Sequence, residues 1–181
     1  MQVEFIENFL VVWNPNEGSE LYKMGYYGKP LGIPKPKIPE FNVPLILDLM
    51  EGLYLAEKGI IRVYEGAEKR KMGIKKLKQK AKVLYEEFDD KYAVYRDLRD
   101  KGFVVTPGIK FGCDFAVYKY GPGLEHAPYM VSVKKADSDI TATEIVKAGR
   151  LATTVRKRFI IAVPDAQRKN IRYLIFKWFK A

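Results

Sequence analysis

Apolar residues in the first part of the chain change between runs typical of strands and spacing typical of helices. Residues 3–13 form an apolar run that predicts a strand interrupted by a turn at Asn8. Over Leu45 to Lys58, apolar positions recur at helical spacing, which predicts a helix that Gly59 ends. The chain therefore begins with a mixture of strand and helix.

A longer apolar stripe runs at helical spacing from Ile74 to Tyr95, through a strongly basic segment. Residues 69–82 hold eight basic side chains and no acidic one. A stripe of this kind is typical of core packing, and lysines opposite it are typical of a solvated face. We therefore expect the stripe to support the fold and do not place the primary active surface there.

Beyond Lys101 the pattern becomes strand-like. Apolar runs bounded by Gly and Pro turns predict strands over 103–106, 110–118, 129–134, 159–163 and 171–179. Thr141 and Glu144 have the spacing of a capping box, which predicts a helix from there to about Arg156. The buried stripe of that helix is expected to consist of Ile145, Ala148, Ala152 and Val155.

These elements predict an α/β (α+β) protein with two domains. We place a small mixed N-terminal domain at 1–85 and a C-terminal α/β domain with a central mixed sheet at 86–181. A chain of 181 residues is long enough for either one domain or two small ones. Hydrophobic residues make up 48% of it, which argues against global disorder.

Composition narrows the location and the chemistry. No apolar stretch approaches the roughly 20 residues that span a bilayer. The single cysteine, Cys113, excludes an internal disulfide, so we expect a reduced, cytoplasmic location. One cysteine and one histidine also cannot make a zinc site of ordinary ligand type, and we expect no metal and no cofactor.

The net charge of +10 is unevenly distributed. Residues 1–100 carry 17 basic and 16 acidic side chains, whereas residues 101–181 carry 15 and 6. A basic excess confined to one half is typical of a nucleic-acid surface, with solubility as the alternative. Residues 28–44 hold five of the ten prolines, together with Lys35 and Lys37. This extended loop is either a stiff connector or a segment that touches RNA.

The only histidine, His126, lies between two predicted strands, one ending at Tyr118 and the next beginning at His126 itself. A turn through Gly121, Pro122 and Gly123 would bring both side chains to one cleft, and Lys157 follows the next helix. An imidazole, a phenol and an ammonium suit phosphoryl transfer within RNA. Each residue also has a structural explanation, namely strand packing, a satisfied histidine and a lysine that complements a helix dipole.

Two segments carry a resemblance to a known family. Asp114-Phe-Ala-Val-Tyr-Lys-Tyr-Gly-Pro-Gly-Leu-Glu-His-Ala-Pro-Tyr129 and Gly149-Arg-Leu-Ala-Thr-Thr-Val-Arg-Lys-Arg-Phe-Ile-Ile-Ala-Val163 resemble signatures of the archaeal tRNA-splicing endonucleases. Residues 21–28 and 53–59 are similar to the family as well, so the resemblance spans nearly the whole chain.

The resemblance implies a role for each candidate residue. It makes Tyr118 a general base, His126 a general acid and Lys157 a cation that stabilises the transition state. It implies metal-free cleavage of precursor tRNA in a bulge-helix-bulge RNA, giving 2′,3′-cyclic phosphate and 5′-hydroxyl ends. Arg150 and Arg172 match two arginines of the family that clamp a bulged base, although a surface charge remains an alternative for Arg172.

Two segments depart from the simplest members of the family. The loop at 29–44 resembles an insertion of crenarchaeal catalytic subunits, which is linked there to a broader substrate range. Homotetrameric members dock an acidic loop into a basic pocket, but residues 164–170 here hold one acid and two bases. We expect a noncatalytic subunit to supply the acidic loop in an α2β2 heterotetramer, with a homotetramer as the alternative.

Two other functions fit parts of the pattern. A restriction-endonuclease-like α/β domain would accommodate the C-terminal elements, and its metal-dependent chemistry needs two acids and a lysine. Asp114 could be the first acid, but Ser132-Val-Lys134 has no carboxylate in the second position. The other alternative is a noncatalytic RNA-binding subunit. The presence of all three candidate catalytic residues argues against it.

Overall fold

The computed structural model describes residues 1–34, 36, 38–154, 157–165 and 170–176, without the side chains of 147 and 151–154. The chain divides into two compact units, Met1–Phe88 and Asp89–Ala181. Each unit is built around a mixed sheet of its own. The predicted α/β class and the mixed sheet of the C-terminal part are confirmed.

The first unit contains a six-stranded sheet flanked by helices. Its strands are β1 (Gln2–Ile6), β2 (Phe9–Val12), β3 (Lys29–Pro30), β4 (Leu45–Leu47), β5 (Arg62–Glu65) and β6 (Arg70–Met72). They lie in the order β3-β4-β2-β1-β5-β6, and β1 and β5 are parallel, whereas the other neighbours are antiparallel. The helices are α1 (Pro15–Gly25), α2 (Leu49–Glu57) and α3 (Ile74–Leu84).

The predicted helix over 45–58 is wrong at its start, where Leu45–Leu47 form β4. The reason is a capping box at Asp48: the Glu51 N–H donates to Asp48 Oδ1 over 2.8 Å, and the Asp48 N–H donates to Glu51 Oε2 over 3.2 Å. These bonds satisfy the first turn of α2 and fix where the helix begins. Leu45 and Leu47 are then free to pack, fully buried, in the sheet.

The predicted apolar stripe is largely core. Its buried members are Leu77, Ala81, Phe88, Tyr92 and Tyr95. Ile74 and Leu84, at the two ends of α3, are exposed. The stripe is shared by two helices, α3 and α4 (Phe88–Asp100), because the helical conformation is interrupted at 85–87.

The second unit contains a five-stranded sheet. Its strands are β7 (Val104–Pro107), β8 (Phe115–Tyr118), β9 (Tyr129–Val133), β10 (Arg158–Asp165) and β11 (Asn170–Phe176), in the order β11-β10-β9-β8-β7. Only β9 and β10 are parallel, and the helix α5 (Ala142–Thr154) connects them. A parallel pair needs such a crossover, so this β9–α5–β10 unit orders the sheet around the candidate residues.

The strand predicted over 110–118 is wrong in its first half. Ile109–Phe111 form a 3₁₀ turn, in which the Phe111 N–H donates to the Gly108 carbonyl oxygen over 2.8 Å. Gly112 follows with a φ of 66°, a conformation that glycine adopts without a steric cost. The turn ends the preceding strand, so β8 begins only at Phe115.

The two faces of the second sheet are covered by different helices. On one face, Tyr173 Oη donates to Asp97 of α4 over 2.5 Å, and Arg99 Nη2 donates to the Val105 carbonyl oxygen over 2.9 Å. On the other face, Ala148 of α5 belongs to a buried cluster with side chains of the central strands.

The predicted capping box of α5 is present. The Glu144 N–H donates to Thr141 Oγ1 over 3.2 Å, and the Thr141 N–H donates to Glu144 Oε2 over 2.9 Å. Ala148 is buried as predicted, but Ile145 is exposed, and the side chains of Ala152 and Val155 lie outside the described residues. Apolar spacing predicts a helix face, but it does not predict how much of the helix the sheet covers.

The two helices that the structure describes beyond residue 87, α4 and α5, have 13 residues each. Across the part of the chain that the structure describes, none combines the length and the apolar character needed to cross a bilayer.

Candidate active site

The strand directions bring Tyr118, His126 and Lys157 to the same end of three neighbouring strands in the second sheet. This end of the strands is called the edge of the sheet below. Strands β8, β9 and β10 are neighbours, with β8 antiparallel to β9 and β9 parallel to β10. The end of β8 therefore lies beside the beginnings of β9 and β10. Tyr118 is the last residue of β8, His126 precedes β9 by three residues, and Lys157 directly precedes β10.

The register of these strands gives the distance between the backbones of Tyr118 and Lys157. Tyr129 pairs with Val117 on one side and with Arg158 on the other. The Arg158 N–H donates to the Pro128 carbonyl oxygen over 2.8 Å, which extends the ladder by one residue. Tyr118, Pro128 and Lys157 are therefore the next three residues that lie side by side across β8, β9 and β10. Two strand spacings put the outer two of these residues about 10 Å apart at their backbones, within reach of both long side chains.

Tyr118 and Lys157 also lie on the same face of the sheet. Alternate residues of a strand share a face, so Lys157 goes with Phe159 and Tyr118 goes with Ala116. Phe159 and Ala116 both belong to the buried cluster under α5, and Tyr118 packs against it. The side chains of Tyr118 and Lys157 therefore extend from the same face of the sheet at the same end of the strands.

Lys157 has an unusual environment for a lysine. Its Nζ lies 3.9 Å from the centroid of the Phe111 ring, and the side chain is partly buried. Burial lowers the pKa of Lys157, and an electrostatic interaction with the neighbouring Cys113 opposes this shift. The face of the Phe111 ring stabilises the Lys157 ammonium group. A partly desolvated positive charge therefore lies at this end of the strands.

His126 is exposed on the loop between β8 and β9. Gly121 and Gly123 both have positive φ, and the N–H groups of Leu124 and Glu125 both donate to the Gly121 carbonyl oxygen over 3.3 Å. This turn folds the loop back toward the sheet. No hydrogen bond or ion pair joins the His126 side chain to another residue of the described chain, which leaves both ring nitrogens available to a substrate.

The prediction that His126 opens a strand is wrong, because β9 begins only at Tyr129. Pro128 has no N–H to donate to a ladder, so regular pairing does not extend further back. Ala127 is 2% exposed and belongs to the buried cluster. The residue after His126 therefore anchors the loop while the imidazole stays in solvent.

Of the other candidate residues, the structure describes Arg150 and Arg172. Arg150 is exposed on α5, and Arg172 is exposed on β11 opposite Val163. Val163 is six residues beyond Lys157, a distance of roughly 20 Å along a strand. Arg172 therefore lies far from Lys157 within one chain. Lys35 and Lys37 lie outside the described residues.

The side chains that metal-dependent chemistry would use are engaged in structural contacts. Asp114 Oδ2 accepts from the Val133 N–H over 2.8 Å, and Asp114 Oδ1 lies 3.1 Å from Lys91 Nζ. Lys134 pairs with Glu144, which lowers the pKa of Glu144 to about 2. In the described part of the chain, no three His, Cys, Asp or Glu residues lie close enough together to hold a metal ion.

The sequence pattern missed Phe111 as a residue of the site. The strand predicted over 110–118 treated it as an ordinary strand position, whereas the turn places its ring under Lys157. The two glycines that flank the turn, Gly108 and Gly112, are the local signal from which the turn could have been predicted.

Comparison with known proteins identifies two family domains in this chain. Residues 88–173 match the model of the tRNA intron endonuclease catalytic C-terminal domain, and residues 1–78 match that of the tRNA intron endonuclease N-terminal domain. Together the two matches cover most of the chain.

Three relatives are similar to this chain over nearly their whole length, and each is named tRNA-splicing endonuclease. The protein from Hyperthermus butylicus is 49% identical over 170 residues, which cover 94% of this chain and 93% of the relative. The protein from Sulfurisphaera tokodaii is 43% identical over 178 residues, 98% of each chain. One from Saccharolobus islandicus is 43% identical over 172 residues, 94% of each chain. The predicted resemblance is thereby confirmed, and this chain is an endoribonuclease of the tRNA intron endonuclease family.

Proposed function

We propose that this enzyme cuts precursor tRNA at intron–exon junctions in bulge-helix-bulge RNA, without a metal ion. Tyr118 accepts the proton of the ribose 2′-hydroxyl as its oxygen forms a bond to the adjacent phosphorus. The bond from phosphorus to the 5′-oxygen breaks, and His126 donates a proton to that oxygen. The products are a 2′,3′-cyclic phosphate and a 5′-hydroxyl, and no water is consumed.

The convergence of three groups at one sheet edge carries this proposal. Attack and departure occur on opposite sides of phosphorus, so the base and the acid have to come from different segments of the chain. Tyr118 and His126 meet this requirement from the two ends of one loop. The Lys157 ammonium stabilises the charge that develops on the phosphate, and partial burial strengthens its field because less water screens it.

Cleavage in the presence of excess EDTA tests the mechanism. We expect the rate with a bulge-helix-bulge RNA to change less than twofold, and the upstream product to end in a 2′,3′-cyclic phosphate that acid opens. Mass spectrometry of the two fragments measures the ends. Loss of cleavage in EDTA with recovery in Mg²⁺, or a 5′-phosphate end, would establish the metal-dependent alternative.

The two arginines belong to the proposal as a clamp on an unpaired base. Both are exposed, and a guanidinium plane stacks well on a base that has left the helix. Arg172 lies roughly 20 Å along the sheet from Lys157, by the strand rise. We therefore propose that the clamp of one chain holds RNA that is cut by the catalytic residues of another.

The double substitution Arg150→Ala and Arg172→Ala should weaken binding of bulged RNA by on the order of tenfold, since stacking contributes about 1–3 kcal/mol per base. Binding of a plain duplex of equal length should change about threefold or less. A control is Arg158→Ala, which removes one exposed guanidinium of the same sheet, next to Lys157 and away from Arg172. Equal weakening for bulged and plain RNA would refute the clamp.

The assembly that we propose is an α2β2 heterotetramer, because this chain lacks the acidic loop that a basic pocket on another subunit would accept. The segment 164–170 contains Asp165 as its one acid, against two bases. Residues 166–169 of that segment lie outside the described residues, so the argument rests on charge. Like charges disfavour docking of this loop into a basic pocket.

The mass of the assembly should distinguish the two arrangements. Purified alone, the chain should form a species smaller than a tetramer, and co-expression with an acidic-loop subunit should give a complex of two copies of each. Native mass spectrometry at several concentrations measures both. A stable tetramer of this chain alone would establish the homotetrameric alternative.

A cytoplasmic location belongs to the same proposal. The one cysteine, Cys113, is buried and is not part of a disulfide. A chain that uses no disulfide suits a reducing compartment, where precursor RNA is also available.

A further inference from the structure

The position of His126 depends on the backbone on either side of it. Its imidazole is exposed and makes no hydrogen bond or ion pair within the described chain. The backbone there belongs to the loop 119–128 between β8 and β9, where the regular pairing of these two strands has ended. The loop therefore needs contacts of its own to present the imidazole to a substrate.

The two residues next to His126 supply such contacts. Ala127, on one side, is 2% exposed and belongs to the buried cluster under α5. On the other side, the Glu125 N–H donates to the Gly121 carbonyl oxygen over 3.3 Å. The Glu125 side chain reaches further back along the loop, because its Oε1 accepts from the Tyr120 N–H over 2.6 Å. His126 is thus exposed between two neighbours that are held.

The bond between Glu125 and Tyr120 joins the two ends of the loop. Tyr120 follows the proposed base by two residues, and Glu125 directly precedes the proposed acid. A carboxylate that accepts from a backbone N–H forms a charge-assisted hydrogen bond, which is shorter and stronger than a neutral one. The bond therefore limits how far the segment with His126 can move from the segment that leaves β8 at Tyr118.

We propose that Glu125 is a positioning residue for the general acid. Its carboxylate ties the loop together and keeps His126 at the end of the strands where Tyr118 and Lys157 lie, without touching the substrate. This inference rests on the proposed function, which makes His126 the acid. A displacement of about 1 Å at a catalytic group can cost on the order of 100-fold in rate, so one bond within the loop is enough to affect catalysis.

Glu125→Ala should lower single-turnover cleavage of a bulge-helix-bulge RNA by about 10- to 100-fold. Binding of the same RNA with a 2′-deoxy sugar at each cut should change less than about threefold, because a misplaced acid affects the transition state and not ground-state binding. The bond is open to solvent and contributes little to the stability of the whole fold, so the full chain should still fold without it.

Two further substitutions separate the hydrogen bond from the charge. Glutamine keeps an acceptor oxygen at the same reach without the charge, whereas aspartate keeps the charge on a shorter side chain. Glu125→Gln should therefore keep the rate within about fivefold, and Glu125→Asp should lose nearly as much as Glu125→Ala. Higher activity for Glu125→Asp than for Glu125→Gln would overturn the positioning role.

The control for net charge is Asp139→Ala. It removes one exposed carboxylate from the connection between β9 and α5, at the opposite end of the strands. Its cleavage rate should stay within about twofold of that of the unsubstituted enzyme. A loss equal to that of Glu125→Ala would assign the effect to net charge and overturn the proposal.

A substrate with sulfur in place of the 5′-oxygen tests whether Glu125 acts through His126. Sulfur departs without protonation, so the deficit of Glu125→Ala relative to the unsubstituted enzyme should shrink to about threefold or less. An equal deficit with both substrates, while the sulfur restores His126→Ala, would overturn the role of Glu125 alone. If the sulfur failed to restore His126→Ala, the acid in the proposed function would itself be wrong, and the positioning role would fall with it.

Discussion

Replacing His126 with alanine should lower the rate of RNA cleavage by about 10²- to 10⁴-fold, the usual contribution of a positioned general acid. Binding should change less than threefold, because the imidazole is exposed and makes no hydrogen bond or ion pair within the described chain. Single-turnover cleavage and binding to a 2′-deoxy substrate separate the two effects. Equal loss of cleavage and binding would contradict the role of His126 as the acid.

A change of the leaving atom makes this test specific. A sulfur in place of the 5′-oxygen departs without protonation, so a substrate with that sulfur should restore most of the lost rate to His126→Ala. The control is Leu124→Ala, which truncates an exposed side chain in the same turn and should leave the rate within about twofold. If the sulfur substrate were cut as slowly as the ordinary one, His126 would have another role.

Replacing Lys157 with alanine should lower cleavage by about 10²- to 10³-fold, as loss of a preorganised group that stabilises developing charge does. Its neighbour Arg158 is exposed on the other face of the strand, over the Tyr129 ring, so Arg158→Ala should have little effect on the rate. A change of threefold or less for Lys157→Ala, measured under single-turnover conditions, would exclude Lys157 from the transition state.

The pH dependence gives Lys157 a second signature. Only the protonated amine stabilises the phosphate, so its contribution is lost as pH rises through its pKa. Burial lowers that pKa below the ordinary value of 10.5, so the loss should begin at lower pH than for an exposed lysine. Lys157→Arg should move this alkaline decline to higher pH, because a guanidinium stays protonated. An unchanged alkaline limb would assign it to another group.

Local patterns in the sequence predicted most of the secondary structure of the second unit. The capping box at Thr141 predicted the start of α5, and an apolar run followed by a Gly/Pro turn predicted the end of β8 at Tyr118. These features depend on neighbours within a few residues, and the side-chain chemistry that decides them is visible in the sequence.

Features that depend on distant partners could not be predicted in this way. Ile46 fits the helical spacing of the predicted helix, yet Leu45–Leu47 form a strand, because the capping box at Asp48 starts the helix later and β2 and β3 pair with the residues before it. The position of Phe111 under Lys157 depends on how a turn before β8 meets the start of β10. Tyr118, His126 and Lys157 lie at the same end of the strands because β9 and β10 are parallel, and no spacing along the chain reveals that pairing.

The connection between β9 and α5 lies at the opposite end of the strands from His126, because His126 precedes β9 and the connection follows it. Residues 135–141 are all exposed there. Segments of this kind tolerate chain breaks and insertions. A fluorescent reporter inserted into this connection before Thr141, which caps α5, would leave the hydrogen-bonded pairs of residues that space Tyr118 and Lys157 intact. The enzyme should therefore accept an insertion at this connection with little loss of catalysis.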